Sequence, residues 1–236
     1  QRCGEVWKYA IATGRALSNP APDLASVMMP HKKEHYAHLE VSELSDFFNV
    51  LQAYTGNILV KLAMRLLILT GTRPGELRKA EWSEFDFENN LWSIPEERMK
   101  MRRPHLVPLS RQALAILEEL KTMTSGYQYV FPGRLEKVKS ISDMSLNVLI
   151  RRVGYGGRAT GHGFRHTMST ILHEQGFNSA WIETQLAHVD KNAIRGTYNH
   201  AQYLDGRRQM MQWYADYIGE LGKGGGVVEG AFRKTA

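Results

Sequence analysis

The 236-residue chain is 43% hydrophobic and 23% charged, ordinary proportions for a globular protein, and no apolar run reaches the ~20 residues needed to span a bilayer. Its one cysteine, Cys3, excludes an internal disulfide framework and a multi-cysteine zinc site. A net charge of +6 favours a polyanionic partner.

The chain begins with Gln1 rather than Met and shows no secretory signal, so it reads as part of a longer protein, expected in the cytoplasm and away from membranes. Its basic residues cluster within folded-looking sequence: Lys100, Arg102 and Arg103; Arg134, Lys137 and Lys139; Arg151, Arg152, Arg158 and Arg165. Interleaving of this kind points to a nucleic-acid surface rather than a charged tail.

Residues 4–17 predict a helix ending at Ser18-Asn19-Pro20. The stretch Pro20–Pro30, followed by Lys32, Lys33 and several histidines, predicts a linker to about residue 40. Ser42 reads as an N-cap, with Leu44, Phe47, Phe48 and Leu51 on one helical face behind it. Thr55-Gly56-Asn57 breaks that helix, and 58–69 is apolar enough to be buried despite Lys61 and Arg65. Thr70-Gly71-Thr72 is a turn, and Pro74 suits the first turn of a helix over 74–80.

The period then changes. Strands are predicted at 85–87, 91–94 and 105–107, with Glu88-Asn89-Asn90 as the first hairpin turn. Helices return at 110–121, where Ala113, Leu114, Leu117 and Leu120 share a stripe, and near 143–153, 163–175, 179–187, 190–198 and 201–218. The last carries Leu204, Met211, Tyr214 and Ile218 on one face, and the glycines of 222–226 predict a mobile tail. There is no internal repeat. The expected class is mainly α with one small antiparallel β-sheet.

Three short segments carry chemistry. Thr70-Gly-Thr-Arg73-Pro-Gly-Glu76-Leu puts an arginine at the mouth of a helix and a glutamate three residues on. His162-Gly-Phe-Arg165-His166 is the second, and Leu186-Ala-His188, followed ten residues later by Tyr198, is the third. Lys100 lies between them in the turn Glu96–Pro104. Each has a bland reading. Arg73 could be a solvated turn residue, Glu76 a capping-box acid, and His188 an ordinary satisfied histidine. His162 and His166, four apart, have a spacing that suits two metal ligands, but no acidic third ligand lies nearby.

The set is more specific than its members. Two arginines, a lysine, two histidines and a tyrosine suit phosphoryl transfer in which the protein supplies the positive charge. Guanidinium groups match the charge spreading over a phosphodiester's non-bridging oxygens. A lysine of lowered pKa can protonate a leaving sugar oxygen, and a tyrosine near pH 7 needs a base to attack.

In order and spacing, Arg73…Lys100…His162-x-x-Arg165…His188…Tyr198 resembles the tyrosine recombinases, and within them the prophage integrases related to satellite-phage integrases. Gln185-Leu-Ala-His and Tyr198-Asn-His-Ala-Gln-Tyr-Leu, running on to Arg207-Arg208 and Trp213, also look like that subgroup. The resemblance covers about residues 40–218. It implies that Arg73 and Arg165 hold the scissile phosphate, that Lys100 is the general acid, and that His162 assists proton transfer from the tyrosine. It implies that His188 donates to the phosphate, that Glu76 organises Arg73, and that Tyr198 forms a 3′-phosphotyrosyl bond, with no metal or other cofactor. Arg98, Arg102 and Arg103 crowd the turn around Lys100, but a guanidinium does not readily give up a proton. Tyr203 lies too far from His188 to replace Tyr198.

The same resemblance implies residues 1–40 as the last helix of a core-binding domain plus linker, 41–218 as the catalytic domain, and 219–236 as a flexible tail. Its partners would be double-stranded attachment-site DNA, touched by Arg102, Arg103, Arg151 and Arg152, and further copies of the chain. It would form a tetramer on DNA and be a monomer without it, with accessory DNA-bending proteins. A chain short of its upstream domains is expected to bind its site weakly. A type IB topoisomerase, a helical DNA-binding regulator and a metallohydrolase are the competing readings. The wording around Tyr198 argues against the first, and a regulator needs none of these spacings.

Overall fold

The computed structural model describes residues 2–27, 36–99, 102–188 and 203–223. The chain divides into two compact units, residues 1–35 and 36–236.

In the first unit, helix α1 spans Arg2–Ala12 and buries none of its residues. It stops short of the expected residue 17. Thr13 Oγ1 donates to the Tyr9 carbonyl at 2.9 Å, and Gly14 turns the backbone away at φ 70°.

The second unit opens with α2, Val41–Ala53. Its cap is Glu40, not Ser42, because the Glu43 carboxylate reaches back to accept the Glu40 N–H at 3.0 Å. Helix α3, Ile58–Thr70, is capped by the Asn57 side chain, which accepts from the Leu59 and Val60 N–H groups. It is the central element, with four later helices packed against it, and Leu62, Ala63, Met64, Leu66 and Leu67 are at most 1% exposed. Only the narrow edge of Ile58, Lys61 and Arg65 faces outward, which explains why the rest of its sequence is apolar. Truncating Leu67 to alanine there is expected to cost about 2–5 kcal/mol.

Helix α4 is one short turn, Pro74–Arg78. Strands β1 (Phe85–Asp86), β2 (Leu91–Ile94) and β3 (His105–Pro108) form an antiparallel sheet in that order, with Trp92 opposite Phe85 and Val107, and Ile94 opposite His105. Helix α5, Arg111–Thr124, begins after Ser110, whose hydroxyl accepts the Ala113 N–H. Its buried stripe is Ala113, Ile116, Leu117 and Leu120, with Leu114 on the margin rather than in the core. The rest are α6 (Ser145–Arg152), α7 (Gly163–Glu174), α8 (Ser179–Gln185) and α9 (Leu204–Leu221). The architecture is mainly helical with one small antiparallel sheet, as the sequence pattern predicts.

Helix α9 buries Arg207, Met210, Met211, Tyr214, Ala215 and Ile218, and Leu204 is only half-buried. The helix expected over 190–198 and most of the glycine-rich tail lie outside the described residues. Among the described residues no helix is long and apolar enough to cross a membrane.

Candidate active site

The site starts where α3 ends. Gly71 caps that helix at φ 62°, its N–H donating to the Leu67 carbonyl at 2.9 Å. A Cβ at this position would sit 2.4 Å from the Met168 sulfur, so both conformation and space call for glycine. Thr70 Oγ1 donates to the Leu66 carbonyl at 2.8 Å and lies 3.1 Å from Thr72 Oγ1. The tight turn that results delivers Arg73 as the cap residue of α4, with Pro74 following it.

Glu76, one turn on, is 6% exposed. One carboxylate oxygen accepts the Arg73 backbone N–H at 2.8 Å and the other accepts Arg73 Nη1 at 2.8 Å. The capping-box role and the arginine-organising role expected for Glu76 are therefore a single geometry. The other end of that guanidinium, Arg73 Nη2, donates to the Ala187 carbonyl at 3.0 Å.

Arg165 arrives from the first turn of α7 and is 7% exposed. It donates to the carbonyls of Gly71 and Leu186. The two guanidiniums thus hang from consecutive carbonyls, Leu186 and Ala187, immediately before His188. Ala187 is held at φ 47°, an uncommon value for a residue with a Cβ, at the end of α8. Gln185 ties the arrangement together: its Nε2 donates to the Thr70 carbonyl at 2.8 Å, and its Oε1 accepts Arg207 Nη2 at 2.7 Å.

Burial, then the nearby Arg73 charge, pushes Arg165 down to about 10, which still leaves it protonated at pH 7. His162 stands just before α7. Burial, followed by the Arg165 and Arg73 charges, holds it below the ordinary histidine value and therefore neutral at pH 7. A neutral imidazole beside two fixed cations is equipped to accept a proton. His188 is half-exposed, with Nδ1 2.8 Å from a Glu183 carboxylate oxygen.

Arg73, Glu76, His162 and Arg165 are thus brought together, with His188 next in the chain after the carbonyls that anchor the arginines. Lys100 and Tyr198 lie outside the described residues. Arg98 is committed elsewhere, ion-paired with Glu84 and donating to the Glu76 carbonyl. Arg102, Arg103, Arg151 and Arg152 are exposed. The His162 and His166 rings each stack on a different partner, Tyr36 and His38 respectively. Among the described residues no group of three or more His, Cys, Asp or Glu side chains is placed to hold a metal ion.

Three buried residues of this site carry no role in the sequence reading. Gln185 is the junction just described. Arg207, 1% exposed, also donates to the Leu106 carbonyl at 2.7 Å, and burial pushes it down to about 10. Its position four residues before Met211 on the apolar stripe of α9 was the available signal. His105, 4% exposed at the start of β3, makes no well-formed hydrogen bond through either buried ring nitrogen, the Thr184 backbone lending its charged form only slight support. Burial, then Arg207, Arg165 and Arg73, depresses it to about 3.

The phage integrase family profile matches residues 37–204. The integrase of Shigella phage Sf6 is 43% identical over 221 residues, covering 93% of this chain and 57% of the relative. Prophage integrase IntS of Escherichia coli K12 gives the same identity and coverage. The chain therefore spans little more than half the length of the curated relatives it matches. Among solved structures, a lambda integrase tetramer bound to a Holliday junction shares the fold, with a TM-score of 0.58 at 18% identity over 80% of this chain and 57% of that one. The profile match and the relatives agree with the three converging segments: the chain belongs to the phage integrase family.

Proposed function

We propose that the chain is the catalytic portion of a site-specific DNA recombinase that integrates or excises a mobile element. The observation that carries this reading is the suspension of Arg73 and Arg165 from the consecutive carbonyls of Ala187 and Leu186. Two fixed cations separated widely in sequence are held side by side with one buried acid, Glu76, between charge balance and excess. A scissile phosphate supplies the missing negative charge.

In the reaction Tyr198 attacks the phosphorus. The bond to the 5′-oxygen breaks, a 3′-phosphotyrosyl bond forms, and the free 5′-hydroxyl later reverses the step on the partner strand. The tyrosine's proton passes to neutral His162, and Lys100 protonates the leaving 5′-oxygen. His188 donates to a non-bridging oxygen. Each donor aimed at the developing charge is worth roughly 10²–10³ in rate. The phosphotyrosyl bond conserves the energy of the broken phosphodiester, so rejoining needs no nucleotide.

The chain's partner is double-stranded attachment-site DNA, with Arg102, Arg103, Arg151 and Arg152 along its track. The copies assemble as a tetramer on that DNA and separate without it, with accessory proteins bending the site. Residues 1–40 are the end of a core-binding domain and its linker, 41–218 the catalytic domain and 219–236 a flexible tail. The protein works in the cytoplasm. The solved lambda integrase tetramer on a Holliday junction supports the assembly. The test is a nicked suicide duplex, which is expected to trap a covalent adduct that disappears in Tyr198→Phe. An adduct that persists in that variant sinks the assignment.

A further inference from the structure

Residues 36–39, the first of the second unit, run as a strap across the start of α7. The Ala37 carbonyl accepts both the backbone N–H of Thr160 at 3.0 Å and its hydroxyl at 3.2 Å. The Leu39 carbonyl accepts the Thr167 hydroxyl at 2.7 Å, and the Leu39 side chain is 1% exposed. A Cβ on Gly163 would lie 2.1 Å from the Ala37 oxygen. The glycine between His162 and Phe164 is therefore what lets the strap lie on the helix.

The strap carries two rings onto two histidines of the active-site segment. Tyr36 stacks on His162 with centroids 4.7 Å apart and planes 19° apart. His38 stacks on His166 at 4.1 Å and 29°. Tyr36 is 64% exposed, so core packing does not account for its position. The charged groups facing His162 are Arg165 from its own helix and Arg73 and Glu76 from the start of α4. The aromatic face comes from the strap.

We propose that Tyr36 is a positioning residue for His162: its ring, pinned by the strap, fixes the plane of the imidazole that takes the nucleophile's proton. This rests on His162 acting in cleavage, as proposed above. The face of the ring, not its hydroxyl, does the positioning.

The test uses the 236-residue chain as parent, Tyr36→Ala, Tyr36→Phe and His162→Ala. The His162 ring-proton resonance, assigned by its loss in His162→Ala, is titrated by NMR without DNA. Removing the cover in Tyr36→Ala is expected to raise the His162 titration toward the ordinary histidine value, whereas Tyr36→Phe leaves it in place. On a nicked duplex carrying the element's junction sequence, Tyr36→Ala is expected to form adduct about 10-fold more slowly, with its pH profile displaced upward, and Tyr36→Phe to stay within about 2-fold of the parent. An unchanged titration and rate in Tyr36→Ala overturns the inference. So does a Tyr36→Phe as slow as Tyr36→Ala, which would assign the role to the hydroxyl. If His162→Ala forms adduct at the parental rate, the active-site reading falls instead, and the titration alone then decides whether Tyr36 sets the ring.

Discussion

Glu76 is the one buried acid facing Arg73 and Arg165 among the described residues of the site, and Glu76→Ala isolates its contribution. The substitution removes two charge-assisted hydrogen bonds, to the Arg73 backbone and to its guanidinium. Breaking a fully buried ion pair by removing one partner costs about 3–5 kcal/mol. The Arg73 side chain is 26% exposed, so water recovers part of its solvation and the loss belongs near the lower end, about 3 kcal/mol. For a domain of this size that is a fall of roughly 6–12 °C in Tm. Urea unfolding of both proteins measures it as a lower midpoint at an unchanged m-value. The variant also leaves the two guanidiniums with only the half-exposed Glu183 carboxylate acting on Arg165, so a divalent anion is expected to bind where the Glu76 carboxylate was relieving them. Sulfate is therefore expected to raise the Tm of Glu76→Ala more than that of the parent, the general salting effect being common to both. A loss below about 1 kcal/mol together with equal responses to sulfate refutes the reasoning.

Arg165→Ala is expected to lower covalent adduct formation at least ~10²-fold while weakening DNA binding far less, because its charge acts on the transition state; Arg165→Lys does not restore the rate, since one ammonium cannot reach both anchoring carbonyls and the phosphate. Equal losses in gel-shift and adduct assays would reduce Arg165 to a phosphate anchor. Gly71→Ala is expected to destabilise the chain by about 2–3 kcal/mol, from the positive φ and the Met168 sulfur together, read as a lower urea midpoint. His105 gives a pH dependence. Its folded value of about 3 lies below the ordinary 6.5. Its stabilising contribution is thus complete above pH 6.5 and is lost as pH falls toward 3, because the unfolded chain takes a proton that the folded site refuses. At pH 5 this amounts to about 2 kcal/mol. His105→Leu removes that slope, so urea midpoints at pH 7.5 and 5 should converge for the variant relative to the parent. An identical pH loss in both proteins would place its source in another group.

Periodicity made most of the fold legible because most elements bury one face. The stripes of α2 and α9 and the alternation of β2 have no other explanation than a core on one side. The errors are local and have local causes. Ser42 is a better N-cap residue than Glu40 in isolation, yet the Glu43 carboxylate reaching back to the Glu40 N–H moves the helix start two residues earlier. Helix α1 ends at Ala12 because Gly14 can take a left-handed backbone, which a helical pattern continuing to Leu17 does not reveal. Chemistry written as a motif was also legible: Arg73, Glu76, His162 and Arg165 converge. What a motif does not display is support from main-chain atoms. The Leu186 and Ala187 carbonyls hold both arginines, and any residue at those positions has a carbonyl.

The unread residues are all buried polar groups: Gln185 bridges the Thr70 carbonyl and Arg207, Arg207 also reaches the Leu106 carbonyl, and His105 stays uncharged beside the arginines. Arg73, Arg165 and Arg207 are three cations among buried or half-buried surroundings, with Glu76 the buried acid against them. Carbonyl oxygens of Gly71, Leu106, Leu186 and Ala187 and the amide oxygen of Gln185 supply the remaining negative dipoles. Burial, with the neighbouring guanidiniums behind it, makes added positive charge costly here, as the depression of Arg165 and His105 indicates. On the proposed recombinase reading, that positive potential is what a phosphodiester would meet on arrival, growing more favourable as charge builds in the transition state. Neutral His105 fits the same logic. A buried imidazole that stays uncharged beside three guanidiniums adds bulk and polarity without adding a fourth cation, whereas a lysine or arginine there would need its own carboxylate. A second acid would in turn neutralise the positive potential that the proposed reaction needs.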